Sequence, residues 1–236
     1  MNNAEIIVIG DEILHGEIRD ENGPWLIEQL NHCNVNVVGL HIIPDSVETI
    51  VEYFHATRET DYTLVTGGIG PTHDDKTRSA LARALDRELT EHEKVKKWLK
   101  DHYGEKMNKS RRQLALLPDG AKTIYLPETP AIAFQVDNFF VFPGVPDLLK
   151  PLFKKWEHKF TGEECYSYSL SLNAMEGDVA EELENLQKEY SRLQFASYPH
   201  SQSITLLVRG YNQEIFERGK EALKKLADNQ SIESSK

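Results

Sequence analysis

Twelve consecutive residues, Thr66-Gly67-Gly68-Ile69-Gly70-Pro71-Thr72-His73-Asp74-Asp75-Lys76-Thr77, concentrate the chemistry available to this chain. Three glycines within four residues let backbone amides approach an anion closely. A helix opening just beyond them adds partial positive charge where phosphate binds readily. The pattern is neither Gly-x-Gly-x-x-Gly nor a Walker loop with its lysine. Taken bare, Gly-Gly-x-Gly also suits a plain tight turn. Its place at the end of an expected parallel strand favours a ligand, because open α/β sheets bind ligands there. Asp74 and Asp75 sharpen the reading. Asp74 is divided between capping the next helix and serving the site. Asp75 is favoured as a metal ligand or a general base, since two carboxylates beside a phosphate repel it unless something positive intervenes. Asp11 and Glu12 follow the first apolar run and Asp45 follows the second. Parallel strands would bring all of these acids to one sheet edge. A phosphate loop ringed by acids fits a hard divalent cation (magnesium, manganese or cobalt) with oxygen ligands, and Asp11, Glu12 and Asp75 are the expected set.

Other chemistries find less support. No histidine pair has zinc-ligand spacing. No serine stands in a nucleophile-elbow context, and neither Cys33 nor Cys165 has a base nearby in sequence, which disfavours covalent catalysis. Lys109, Arg111 and Arg112 could meet a ligand phosphate or simply form a solvated helix face.

The elements that must position these residues follow from hydrophobic periodicity. Ile6–Ile9, Val35–Ile43 and Tyr62–Thr66 read as strands. Helices are expected at Pro24–Asn31, from Val47 through Phe54, and at Lys76–Leu85. Asp45 and Glu48 stand at capping-box spacing before the second of these, and Thr90 and Glu93 before a further helix bearing Val95, Trp98 and Leu99. Ala131–Val136 and Phe139–Phe142 flank Asp137-Asn138 as a hairpin. Pro143-Gly144-Val145-Pro146 then leads into a helix ending near Trp156. Alternating strands and helices of this kind predict a parallel sheet with right-handed crossovers. After a polar stretch at Lys159–Glu164, a β-α-β-β-α subdomain is expected, with strands at Tyr166–Leu172, Leu193–Tyr198 and Ile204–Val208, and a frayed tail from Asp228. The boundary is set at 160, giving regions 1–160 and 161–236.

Bulk composition narrows the function classes. The chain has 236 residues, with 38 acidic against 27 basic, a formal charge of −11. That balance argues against duplex binding, which needs a basic footprint, yet Asp86–Arg112 carries nine basic against six acidic residues. Two cysteines suggest a reducing compartment. No stretch approaches the roughly 18 apolar residues of a membrane span. A soluble, cytoplasmic protein is expected, with no nucleic-acid or membrane partner, taking a small molecule and forming a homo-oligomer, dimer or trimer.

Several motifs occur in order: Ile9-Gly10-Asp11-Glu12-Ile13-Leu14-x-Gly16, Asp20-x-Asn22, the loop from Thr66 to Thr77, and Phe142-Pro143-Gly144-Val145-Pro146. Together they resemble the molybdopterin-binding-like domain of the CinA competence/damage-inducible proteins and of molybdenum-cofactor biosynthesis proteins, most of all CinA and the N-terminal domain of eukaryotic FAD synthases. Ser197-Tyr198-Pro199 and Glu176-Gly177-Asp178 resemble their small second subdomain. The resemblance implies a three-layer α/β/α fold with a mostly parallel sheet, plus a small α+β C-terminal subdomain. It implies functional aspartates at Asp45 and Asp75. It also places substrate or phosphate at Gly10, Thr66, Gly67, Gly68, Gly70, Pro71, Thr72, Thr77 and Gly144. The implied activity is metal-dependent cleavage of a nucleotide diphosphate such as ADP-ribose or FAD, releasing AMP. The alternatives are a pterin-binding protein of molybdenum-cofactor biosynthesis and a non-catalytic nucleotide-binding module. One stretch departs from the family pattern: Thr129-Pro130-Ala131-Ile132-Ala133-Phe134 lacks the glycine usual before the hairpin.

Overall fold

The computed structural model describes residues 2–233, with side chains to 230. The chain divides into two compact units, Met1–Gly162 and Glu163–Lys236. The first unit runs β1 (Asn3–Ile9), α1 (Asp11–Leu14), α2 (Asn22–His32), β2 (Asn36–Ile43), α3 (Val47–Ala56), β3 (Tyr62–Thr66), α4 (Thr77–Ala84), β4 (Leu89–Glu91), α5 (Glu93–Tyr103), α6 (Lys109–Gln113), β5 (Leu116–Pro118), β6 (Lys122–Tyr125), β7 (Ile132–Val136), β8 (Phe139–Phe142) and α7 (Pro146–Trp156). The second runs β9 (Tyr166–Leu172), α8 (Glu176–Glu189), β10 (Gln194–Pro199), β11 (Ile204–Gly210) and α9 (Gln213–Glu233).

Six strands of the first unit form one sheet in the order β2-β1-β3-β8-β7-β6. β2, β1, β3 and β8 are parallel, and β7 and β6 are antiparallel to their neighbours. The mostly parallel α/β/α expectation therefore holds, and the hairpin adds a fourth parallel strand. Burial on both faces explains why Ile6–Ile9 of β1 is a continuous apolar run rather than an alternating one. Ala4, Ile6 and Val8 face the layer with Leu26 and Leu30 of α2 and Leu152 and Phe153 of α7. Ile7 and Ile9 face the layer with Ile50 and Phe54 of α3 and Ala80 and Leu81 of α4. Phe54, Phe134, Phe139, Phe142 and Phe153 are fully buried. At about 1.5–3 kcal/mol for each large apolar side chain, these layers hold the sheet and leave its rim loops free to serve a site.

Some local expectations need correction. The cap of α3 is Ser46, whose hydroxyl faces the Thr49 amide at 3.5 Å; Asp45 turns instead toward Asp11. Thr90 lies in β4, and His92 caps α5 by accepting from the Val95 amide. β4 pairs with β5 in a two-stranded ladder, and β6 extends the main sheet. At three or four residues each, these strands are too short to show a period.

The second unit has the expected β-α-β-β-α order, with an antiparallel sheet β10-β11-β9. Val179, Leu206, Val208, Phe216 and Leu223 form its core. The expected tail from Asp228 is helical as far as Glu233. Leu226 and Ala227 just before it are buried, and the Gln230 side-chain amide donates to the Asp178 carbonyl, which ties the end of α9 to α8. Residues 234–236 lie outside the described part. Among the described residues no helix is long and apolar enough to cross a membrane.

Candidate functional site

The carboxyl ends of the four parallel strands define the site. A cleft of about 650 Å³ opens there, and its wall includes Thr66, Gly67, Gly68, Gly70, Asp45 and Asp75. Glu12, Asp74, Pro71 and Gly144 also line it. Gly10, Asp11, Thr72 and Thr77 do not.

The glycine loop has a backbone that side chains would forbid. Gly67 and Gly68 have φ of +101° and +64°. A Cβ on Gly67 would run into the Ile9 carbonyl oxygen, so β1 and the loop touch backbone to backbone. At Gly68 a Cβ would collide with the Thr77 hydroxyl and stand 3.5 Å from Asp45 Oδ1. Thr77 is fully buried, and its hydroxyl and amide donate to the Gly67 and Gly68 carbonyls at 2.9 and 3.0 Å. The Gly67 amide donates to the Phe142 carbonyl, whereas no protein acceptor takes the Gly68 amide among the described residues.

Asp75 holds the other half of the loop. Its carboxylate accepts from the Gly70 amide at 2.5 Å, from the Thr72 amide at 2.8 Å, and from the Thr72 hydroxyl. Arg78 braces the same segment from inside: it is 5% exposed and donates to the Ile69 and Gly70 carbonyls. Burial pulls its guanidinium below the ordinary arginine range, against the pull of nearby Asp75. Asp74 does not cap α4, which begins at Thr77 with Lys76 at the N-cap position and no side-chain cap.

Asp45 has a different environment. Asp11 and Asp45 clasp one another across the ends of β1 and β2: the Asp11 amide donates to Asp45 Oδ2 at 3.0 Å and the Asp45 amide to Asp11 Oδ1 at 3.3 Å. Burial pushes the Asp45 carboxyl above the usual aspartate value. The Asp11 amide opposes that rise, while the charges of Asp11, Glu12 and Asp74 add to it. The Lys76 ammonium stands by, donating to the Asp45 carbonyl at 2.7 Å. A carboxyl lifted in this way at a cleft wall is suited to proton transfer.

The expected metal set does not assemble. Among the described residues no three histidine, cysteine, aspartate or glutamate side chains gather as a metal-binding group. Asp75 spends both oxygens on the loop, and the Glu12 carboxylate lies against Gly10. The described carboxylates thus form no preassembled three-ligand site for a divalent ion.

Sequence reasoning missed Asn22, Lys76 and Arg78 as site residues. Arg78 had a visible signal, because it sits three and four positions before Leu81 and Ala82, on the buried stripe of α4. Asn22 donates from one amide nitrogen to Thr66 Oγ1 at 3.0 Å and to the Gly144 carbonyl at 2.6 Å. It thereby joins three segments of the rim that are far apart in sequence.

Residues 5–160 match the family model described as "probable molybdopterin binding domain". This chain is a member of that family. Residues 164–236 match the middle domain of FAD synthase. An Archaeoglobus fulgidus protein is 31% identical over 89% of this chain and 91% of its own length. A Clostridium beijerinckii protein named "Putative competence-damage inducible protein" is 29% identical over 87% of this chain, which spans 53% of that relative. Among solved structures, CinA of Thermoplasma acidophilum, described as of unknown function, superposes with a TM-score of 0.64 at 26% identity, over 68% of this chain and all of that one. The family member thus combines a molybdopterin-binding-type domain with a FAD-synthase-type second unit.

Proposed function

We propose that the cleft binds a nucleotide diphosphate such as ADP-ribose or FAD and hydrolyses its P–O–P bridge, releasing AMP. The observation that carries this is the raised Asp45 carboxyl facing the glycine loop, with Oδ1 3.5 Å from where a Gly68 side chain would begin. A phosphate seated against Gly68 is then within reach of a group able to take a proton from water. Water adds to one phosphorus, the bridging P–O bond breaks, and AMP leaves with the other phosphate, ribose 5-phosphate or FMN. The open Gly68 amide and Lys76 supply the donors, and Asp75 and Arg78 hold the loop in shape. A divalent ion belongs to this proposal as part of the incoming metal–diphosphate complex. The FAD-synthase likeness of the second unit supports a nucleotide ligand.

Incubating the full chain with ADP-ribose, FAD, NAD and dinucleoside polyphosphates, with magnesium or with chelator, and following AMP tests it. AMP from ADP-ribose or FAD is expected. The family description favours a second reading, pterin binding, and tight pterin binding without AMP from any substrate would replace the first.

A further inference from the structure

One polar atom at the cleft remains unexplained by its architecture. Asn22 is 5% exposed and lines the cleft beside Thr66 and Gly144. Its amide nitrogen is committed, as described, to Thr66 Oγ1 and the Gly144 carbonyl. A carbonyl only accepts, so it fixes which end of the side chain is nitrogen. The oxygen is thereby set as well. Asn22 Oδ1 is buried and has no hydrogen-bond partner, alone in this respect among the described buried side-chain atoms. Leaving such an acceptor unpaired is costly, and native interiors rarely tolerate it away from functional sites.

We propose that Asn22 Oδ1 is a specificity acceptor for a sugar hydroxyl adjacent to the bound diphosphate. The inference rests on the nucleotide reading above. An acceptor without a hydrogen of its own demands a donor, so it selects an O–H or N–H of the ligand and rejects another phosphate oxygen. Position narrows the choice. Asn22 is bonded to Thr66, the residue directly before Gly67, so its free oxygen stands next to the phosphate loop. In a nucleotide the group next to the phosphate is the ribose, and the base lies one sugar farther on. Asn22 therefore reads the ribose, while the glycine loop reads the charge.

The test compares ligands on the unmodified full chain, by calorimetric titration with magnesium present. ADP, 2′-deoxy-ADP, 3′-deoxy-ADP and inosine diphosphate are the probes. One deoxy analogue is expected to bind at least about tenfold more weakly than ADP, the loss of one hydrogen bond to a buried acceptor, while inosine diphosphate binds like ADP. In Asn22→Ala the difference between ADP and that analogue is expected to disappear. If the variant fails to fold, the wild-type series still decides. Equal binding of ADP and both deoxy analogues would overturn the assignment and leave the nucleotide reading standing. Weakened inosine diphosphate with undiminished deoxy analogues would overturn it in favour of the base amine. No binding of ADP itself would overturn both.

Discussion

Asp45→Asn separates a proton-transfer role from a structural one, because the amide keeps the shape and the hydrogen bond but loses the charge. Asn Oδ1 can accept from the Asp11 amide as Asp45 Oδ2 does at 3.0 Å. The like charges of Asp11, Glu12 and Asp74 then face a neutral group. The sign follows from the raised folded-state carboxyl. Its contribution to stability is fully present below the unfolded aspartate value, about 3.9, and is lost as pH rises through the raised folded value. At neutral pH the wild type therefore bears a penalty that the variant lacks. Asp45 is half-buried, and its desolvation together with repulsion from the neighbouring acids amounts to no more than about 1 kcal/mol at such a site. That corresponds to a rise of about 2–4 °C in melting temperature for a unit of this size. Turnover should fall by about 100- to 10,000-fold, the usual worth of a positioned acid or base. The assay is a melting series from pH 3.5 to 8 on both proteins, with AMP release measured on the same samples. The stability gain should vanish toward the acid end. A variant that melts below wild type at pH 7, or that turns over normally, would refute the reasoning.

Gly67→Ala should cost at least about 2 kcal/mol in a denaturant midpoint, since φ is +101° and the Cβ meets backbone rather than a flexible side chain. Asp75→Asn replaces one accepting oxygen by a donor facing an amide; nucleotide affinity should fall about tenfold or more, and the loss of charge-assisted hydrogen bonds in the loop should lower unfolding free energy by about 1–3 kcal/mol. An unchanged affinity by titration would show that the Asp75 clamp is dispensable. Ser46→Ala should destabilise by about 0.5–1 kcal/mol through loss of the α3 cap, with AMP release unaltered; a loss of activity there would mean that the cap also sets Asp45.

Phe139–Phe142 was legible in the sequence because burial on both faces leaves an unbroken apolar run, and Tyr62–Thr66 because its residues are aromatic or mostly β-branched. The glycine loop was legible for a local reason too: a backbone at positive φ, pressed against another strand, accepts almost nothing but glycine. The sequence likewise determined that acids follow the first three strands, since adjacency along the chain needs no fold. What those acids do was decided in three dimensions. Asp45 and Ser46 are adjacent and both able to cap, and only the pairing of β1 with β2 brings Asp11, 34 residues away, to claim Asp45 and leave the cap to Ser46. Asp75 looked free to hold a metal because spacing does not reveal that the loop folds back and occupies both its oxygens. Asn22 could be noticed as a motif position but not as an unpaired acceptor. Whether a polar atom lacks a partner depends on every group around it, and those groups (Thr66 and Gly144 among them) meet only when the strand ends are assembled.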